Sequence, residues 1–354
     1  MIDRRTLTKM IGLGAAATLP VGAATEAAAA PEAGPRRAPA APAPGGHPGP
    51  GGHPGFGALK QVRAGVLDIG YAEAGPAHGR VVLCLHGWPY DIHSFADVAP
   101  LLADAGYRVI VPYLRGHGAT AFLSPKTVRN AQQSAVALDV IALMDALKIP
   151  RAVLAGFDWG SRTAGVVAAL WPRRVKALVP VGGYLVTHLP SQKDPLPPRS
   201  ERTWWYQYYF ATERGRTAME TRGNRYDLCR LVWEEASPTW EFDDATFERT
   251  AAAFDQPDHA AIVIHNYRWR LGLADGERRY DRYERLLAAR PAITVPSLTL
   301  APALDPFLPT TDDSAYRHLF TGPYEHRVLP GVGHNAPQEA PEEFARAVLD
   351  ADRL

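Results

Sequence analysis

The segment G-F-D-W-G at 156–160 sets an acidic side chain between two glycines, where an apolar run gives way to a helical pattern. This is the small-x-nucleophile-x-small spacing of a nucleophile elbow, with Asp158 at the position a serine more often takes. Gly156 and Gly160 leave room for a chain that turns sharply from strand into helix. A carboxylate attacks without a general base, but the ester it forms has to be cleaved by an activated water. That step calls for a histidine and an acid to orient it. Of the twelve histidines, His334 in G-V-G-H-N-A-P-Q-E is the one placed between the last strand and the final helix. The apolar run 296–301 leads into P-A-L-D-P, which offers Asp305 as the orienting acid, with Asp312 and Asp313 close behind as rivals. Asp158, Asp305 and His334 then follow the order nucleophile, acid, histidine. An oxyanion hole would use the N–H of Trp159 and that of Trp88 in H-G-W-P. His86, which opens H-G-W-P, has a structural reading beside the substrate pocket. His117, His188, His259, His265, His318 and His326 have ordinary surface or packing readings.

These groups need a scaffold, and the chain reads as an α/β fold. Strand-like runs at 62–64 and 66–72 precede a buried strand at 80–85 that ends abruptly in H-G-W-P. A helix at 94–105, a strand at 108–113, a loop R-G-H-G at 115–118 and a helix from about 130 to 147 follow. A strand at 151–156, a helix at 161–171 and a strand at 175–181 continue the rhythm of a mostly parallel sheet with helices on both faces. From 185 to 290 the rhythm stops in an aromatic-rich helical stretch that includes W-W-Y-Q-Y-Y-F at 204–210 and H-N-Y-R-W-R at 265–270, read as an inserted cap. A strand at 293–301, a helix near 314–320, a strand at 325–329 and a helix at 341–352 complete a core made of 58–184 and 291–354.

Composition excludes several other classes. The 354 residues are 46% hydrophobic, and Lys+Arg 38 against Asp+Glu 37 leave a charge of +1, so no global field gathers nucleic acid. Cys84 and Cys229 are too few and too far apart for a disulfide framework or thiolate metal site. No phosphate-binding glycine loop or clustered ligand spacing implies a cofactor or a metal. Residues 1–30 carry Arg4-Arg5, a short apolar stretch and a run of small residues, the pattern of a twin-arginine-type export signal that directs the protein to the periplasm or outside the cell. The apolar stretch is too short for a stable membrane anchor. Between 31 and 57, sixteen of 27 residues are Pro or Gly, which reads as a disordered linker.

Taken together, H-G-W-P, R-G-H-G, G-F-D-W-G, the late Asp and the G-H-N loop resemble the epoxide hydrolases of the α/β-hydrolase superfamily over 58–354. The resemblance implies hydrolysis of a small apolar epoxide by water to a vicinal diol, through an ester on Asp158. It also implies two cap tyrosines that bind and protonate the epoxide oxygen: Tyr206, with Tyr208 and Tyr209 as local rivals, and Tyr267. Trp205, Tyr209 and Trp269, with Trp204 nearby, suggest an apolar or aromatic substrate pocket. The alternatives are a haloalkane or haloacid dehalogenase using the same nucleophile, and a ligand-binding protein that has lost turnover.

Overall fold

A computed structural model of the chain describes residues 56–308 and 311–354. The expected export signal and nearly all of the linker lie outside the described residues. Strands β1 (Lys60–Ala64) and β2 (Leu67–Ala74) run antiparallel, and β2 pairs antiparallel with β4 (Tyr107–Pro112) on its other side. From β4 inward the sheet is parallel, in the order β4, β3 (Arg80–Leu85), β6 (Ala152–Gly156), β7 (Val175–Pro180), β8 (Ser297–Pro302), β9 (Tyr324–Leu329). A two-residue strand, β5 (Ala121–Phe122), pairs with β2. The V-V-L-C-L, A-V-L-A-G and S-L-T-L-A-P runs are buried nearly throughout, as strands covered on both faces require.

Helices α1 (Val98–Asp104) and α12 (Pro341–Ala351) pack together on the sheet, as do α2 (Gln133–Ala146) and α3 (Trp159–Leu170). In α12, Phe344, Ala347, Val348 and Ala351 are buried at i, i+3, i+4 and i+7, the stripe that turns one helical face to the core. Between β7 and β8 the chain makes seven helices: α4 (Pro198–Thr203), α5 (Trp205–Phe210), α6 (Glu213–Glu220), α7 (Arg222–Ala236), α8 (Asp244–Ala251), α9 (His259–Arg270) and α10 (Asp281–Ala288). A last short helix, α11 (Ala336–Glu339), follows the His334 loop.

Register decides where loops emerge. Leu85 pairs with Gly156 and Gly156 with Pro180, so H-G-W-P and G-F-D-W-G leave the sheet side by side at the carboxyl ends of the parallel strands. Pro302 pairs with Leu329, which brings the loops bearing Asp305 and His334 to the same edge.

Several expected elements differ. The helix expected at 314–320 is only a single turn, Arg317–Leu319, because Phe320 is drawn into an extended bridge with Ile293. β8 starts at Ser297 rather than 293, since Pro296 has no N–H to give a ladder. The helix expected from 94 divides into a turn at Ile92–Phe95, capped by Asp91, and α1. The helix expected from 130 begins at Gln133, because Asn130 and Gln132 spend their polar groups on Arg115 and Glu277.

Candidate active site

Asp158 sits between β6 and α3 with φ +51° and ψ −121°, a conformation that an L residue adopts only when its surroundings hold it there. Close packing does so. A Cβ on Gly160 would lie 1.8 Å from the Leu85 carbonyl oxygen, and one on Gly156 would lie 2.6 Å from the Gly160 carbonyl carbon. Gly87 gives way to Asp158 itself, whose Cβ would stand 2.4 Å from a methyl there. Gly160→Ala is therefore expected to lower stability by about 3 kcal/mol or to prevent folding, because backbone rather than a movable side chain blocks the methyl. Gly165→Ala, on the same helix but with its nearest neighbour 3.7 Å away, should gain up to about 1 kcal/mol. Thermal melting of the pair checks the contrast, and equal melting temperatures would contradict it.

The Asp158 carboxylate is held at both oxygens. The Trp88 N–H, just ahead of the cis Trp88–Pro89 bond, donates to Oδ1 at 2.8 Å, and His334 Nε2 lies 3.6 Å from Oδ2. On its far side His334 Nδ1 is 2.8 Å from Asp305 Oδ2, while Asp305 Oδ1 accepts the Phe307 N–H at 2.9 Å. The turn P-A-L-D-P thus brings Asp305 to the imidazole. Asp312 instead accepts from Ser314, and Asp313 from the Tyr324 hydroxyl. Burial works against charge on both members of the Asp158–His334 pair. Asp305 and Asp158 outweigh it for His334, which is pushed up to about 10, and the His334 hydrogen bond outweighs it for Asp158, which stays below its usual range.

Two residues outside the expected set fix the histidine loop. Glu339 accepts from the Gly333 N–H at 2.7 Å, the Asn335 N–H at 3.0 Å and the Ser237 hydroxyl at 2.6 Å. Ser237, at the end of α7, in turn accepts the His334 N–H at 3.0 Å. Glu339 ends the G-V-G-H-N-A-P-Q-E motif and was available as a signal there; Ser237, nearly a hundred residues upstream, carries none.

Aromatic side chains roof the carboxylate. The Trp88 ring lies 5.6 Å from Tyr206, 5.3 Å from Phe210 and 5.5 Å from Tyr267, and Tyr206 meets Tyr267 edge-on at 5.4 Å. Tyr206 and Tyr267 are buried, and that burial pushes both phenols above their ordinary range, so both stay protonated. Phe307, also not anticipated, stacks edge-on against His334 at 5.0 Å and Tyr206 at 6.0 Å. Trp159 lies 5.9 Å from Tyr267 and acts on its phenol, and the indole N–H of Trp88 is buried without a partner among the described residues.

Other expected pocket residues are placed elsewhere. His86 is fully buried behind the loop, where it bonds the Gly87 carbonyl of its own turn and ties that turn to the loop after β4 through the Leu114 N–H. Trp205 backs Tyr206 from the solvent side, its indole donating to Glu235 at 2.8 Å. Tyr209 is half-buried against Trp205 and Phe210, and Tyr208 is exposed and bonded to Glu201. Trp269 does face inward, lining with Trp159, Asn266 and Arg162 a cleft of about 10 Å³, room for one water. A larger cavity of about 350 Å³ opens beside Trp204, Gln207, Phe307 and Arg270. Among the described residues no cluster of three metal-ligating side chains occurs, and no helix is long and apolar enough to cross a membrane.

Residues 80–341 match the family described as alpha/beta hydrolase fold. The chain is 29% identical over 303 residues to epoxide hydrolase A of Mycobacterium tuberculosis, covering 78% of this chain and 92% of that one. It is 58% identical to a solved structure from Klebsiella pneumoniae described as a candidate epoxide hydrolase, with a TM-score of 0.81, covering 84% of this chain and 97% of that one. An epoxide hydrolase from Vigna radiata, 21% identical, shares the fold at a TM-score of 0.65, with 83% and 97% covered.

Proposed function

The chain belongs to the α/β-hydrolase fold family as an epoxide-hydrolase-like hydrolase, and from that premise we propose that it opens an epoxide to a vicinal diol through a covalent ester on Asp158. The observation that carries this reading is the division of labour between the two carboxylate oxygens. Oδ1, bound by the Trp88 N–H, becomes the ester carbonyl, so Oδ2 is the attacking atom. As the Oδ2–carbon bond forms, the epoxide C–O bond breaks and its oxygen takes a proton from Tyr206 or Tyr267. A strained ether leaves far more readily when protonated, and a buried phenol can give a proton without being ionised beforehand.

Esterification removes the charge on Asp158 that helps hold the proton on His334. The imidazolium then gives up its proton, which restores the phenol that ring opening left as phenolate, and becomes the base for the second step. His334 Nε2 takes a proton from water, the hydroxide adds to Cγ of Asp158, and the developing oxyanion on Oδ1 is met by the Trp88 N–H. Collapse breaks the Cγ–Oδ2 bond, the departing oxygen takes the proton of the intermediate's hydroxyl, and the diol is released with one water oxygen left in the carboxylate. Single turnover of styrene oxide by excess enzyme in heavy-oxygen water should therefore give unlabelled diol. Labelled diol in that first turnover would exclude the ester route.

Glu339 acts in this scheme as a positioning residue through the His334 loop. Glu339→Gln cannot accept from both Gly333 and Ser237 as the carboxylate does, so kcat should fall by about tenfold to a hundredfold with KM for styrene oxide little changed. A merely structural role would lower the melting temperature and leave kcat per folded enzyme untouched.

One observation favours the dehalogenase as a second reading. The indole N–H of Trp88, unpartnered among the described residues, with that of Trp159 beside Tyr267, is the kind of donor that a departing halide would need. The tyrosine pair then has no task, which is why the epoxide reading stands ahead.

A further inference from the structure

Two arginines stand beside the site without an ion pair among the described residues, although the charge of Asp158 acts on Arg162. Arg162 follows Asp158 by four residues on α3 and Arg270 follows Tyr267 by three on α9, so each lies one helical turn beyond a proposed reacting group and on the same helical face. Arg162 is buried, and among the described residues the one hydrogen bond of its guanidinium goes from Nε to the Leu185 carbonyl at 3.3 Å. Arg270 lies with its guanidinium 5.3 Å from the Trp204 ring and 5.8 Å from that of Tyr267, and its Nε is buried with no hydrogen-bond partner. Among the described residues neither forms an ion pair. The buried Arg115 shows what this chain does elsewhere: Asp139 holds it through both carboxylate oxygens at 2.6 and 2.8 Å, with Asn130 and the Ala135 carbonyl taking the other donors.

Two neighbouring guanidiniums with spare donors are costly in a buried setting unless an anion visits them. Burial and the charge of Arg270 pull Arg162 down to about 10 even though Asp158 acts in the opposite sense. Arg270 lines the cavity of about 350 Å³, next to Trp204, Gln207 and Phe307. The acids of that cavity do not answer it: Glu201 is engaged by the Leu196 N–H and the Tyr208 hydroxyl, and Asp194 is exposed on the rim.

We propose that Arg270, backed by Arg162, is a subsite for a carboxylate on the substrate, so that the preferred epoxide has an apolar body and an anionic end. The inference rests on the epoxide reading and narrows it. It changes the expected substrate from wholly apolar to amphiphilic, with the ring under the tyrosines and the carboxylate forked by a planar guanidinium.

The test compares kcat/KM for phenylglycidate with that for its methyl analogue, and for para-carboxystyrene oxide with para-methylstyrene oxide. At least one acid should exceed its neutral partner by about tenfold or more, and Arg270→Gln should bring that ratio close to one. Equal or slower turnover of both acids by the unaltered enzyme overturns the subsite and leaves epoxide hydrolysis standing. Thermal melting with para-methylbenzoate and para-methylbenzamide separates the two ideas without turnover. Stabilisation by the acid alone, lost in Arg270→Gln, supports the subsite even if none of the four epoxides reacts, a result that would itself remove the epoxide reading. Equal effects of acid and amide, or none from either, would overturn the subsite.

Discussion

Replacing Tyr206 and Tyr267 together by Phe is expected to lower kcat for styrene oxide by between about a hundredfold and ten-thousandfold, the range a positioned general acid supplies. Each substitution removes one hydroxyl and leaves the ring packing of Trp88, Phe210 and Phe307 in place, so the folded protein should persist. The two rings meet at 5.4 Å, close enough for either phenol to serve the same oxygen. Each single variant should therefore lose much less than the double one, because the remaining hydroxyl still donates. Organohalide turnover, if the enzyme has any, should survive the double change, since a halide leaves without a proton. A double variant that opens styrene oxide at the unaltered rate would remove both tyrosines from the mechanism.

Asp158→Ala should abolish turnover of every substrate, with kcat falling by at least about ten-thousandfold. The loss should be larger than that of any other single change because no neighbouring carboxylate can replace it: Asp305 is committed to His334 Nδ1 and to the Phe307 N–H. Stability should move in the opposite sense to activity or barely at all. The substitution deletes a buried charge, although it also removes a partner from His334 and leaves an alanine at a positive φ. Diol formation by well-folded Asp158→Ala protein would mean that water attacks the epoxide directly.

What was legible in the sequence is what local sterics and strand order dictate. The elbow is written in two glycines four residues apart, because the crossing of Gly160 over the Leu85 carbonyl tolerates no side chain. Asp305 and His334 follow from their place after the last two parallel strands, whose register carries both loops to the edge where Asp158 emerges. The tyrosines came only from resemblance, since nothing in W-W-Y-Q-Y-Y-F says which ring faces the core; Tyr206 turns in, Tyr208 turns out, and Trp205 reaches for Glu235. Contacts between distant segments were not legible at all. Ser237 reaches the His334 N–H across the inserted helices, and Arg162 and Arg270 become a pair only when α3 and α9 are brought together. The helical pattern at 314–320 yields to a single turn, because the pull of Phe320 into the sheet edge outweighs local propensity.

The covalent ester on Asp158 is tested most directly by the intact mass of His334→Gln protein after incubation with styrene oxide. Without the imidazole the first step still proceeds while water is no longer activated, so the ester should accumulate. The expected result is a mass increase equal to the whole epoxide, located by digestion on the peptide that contains Asp158. Unchanged mass while diol continues to form would contradict the ester mechanism.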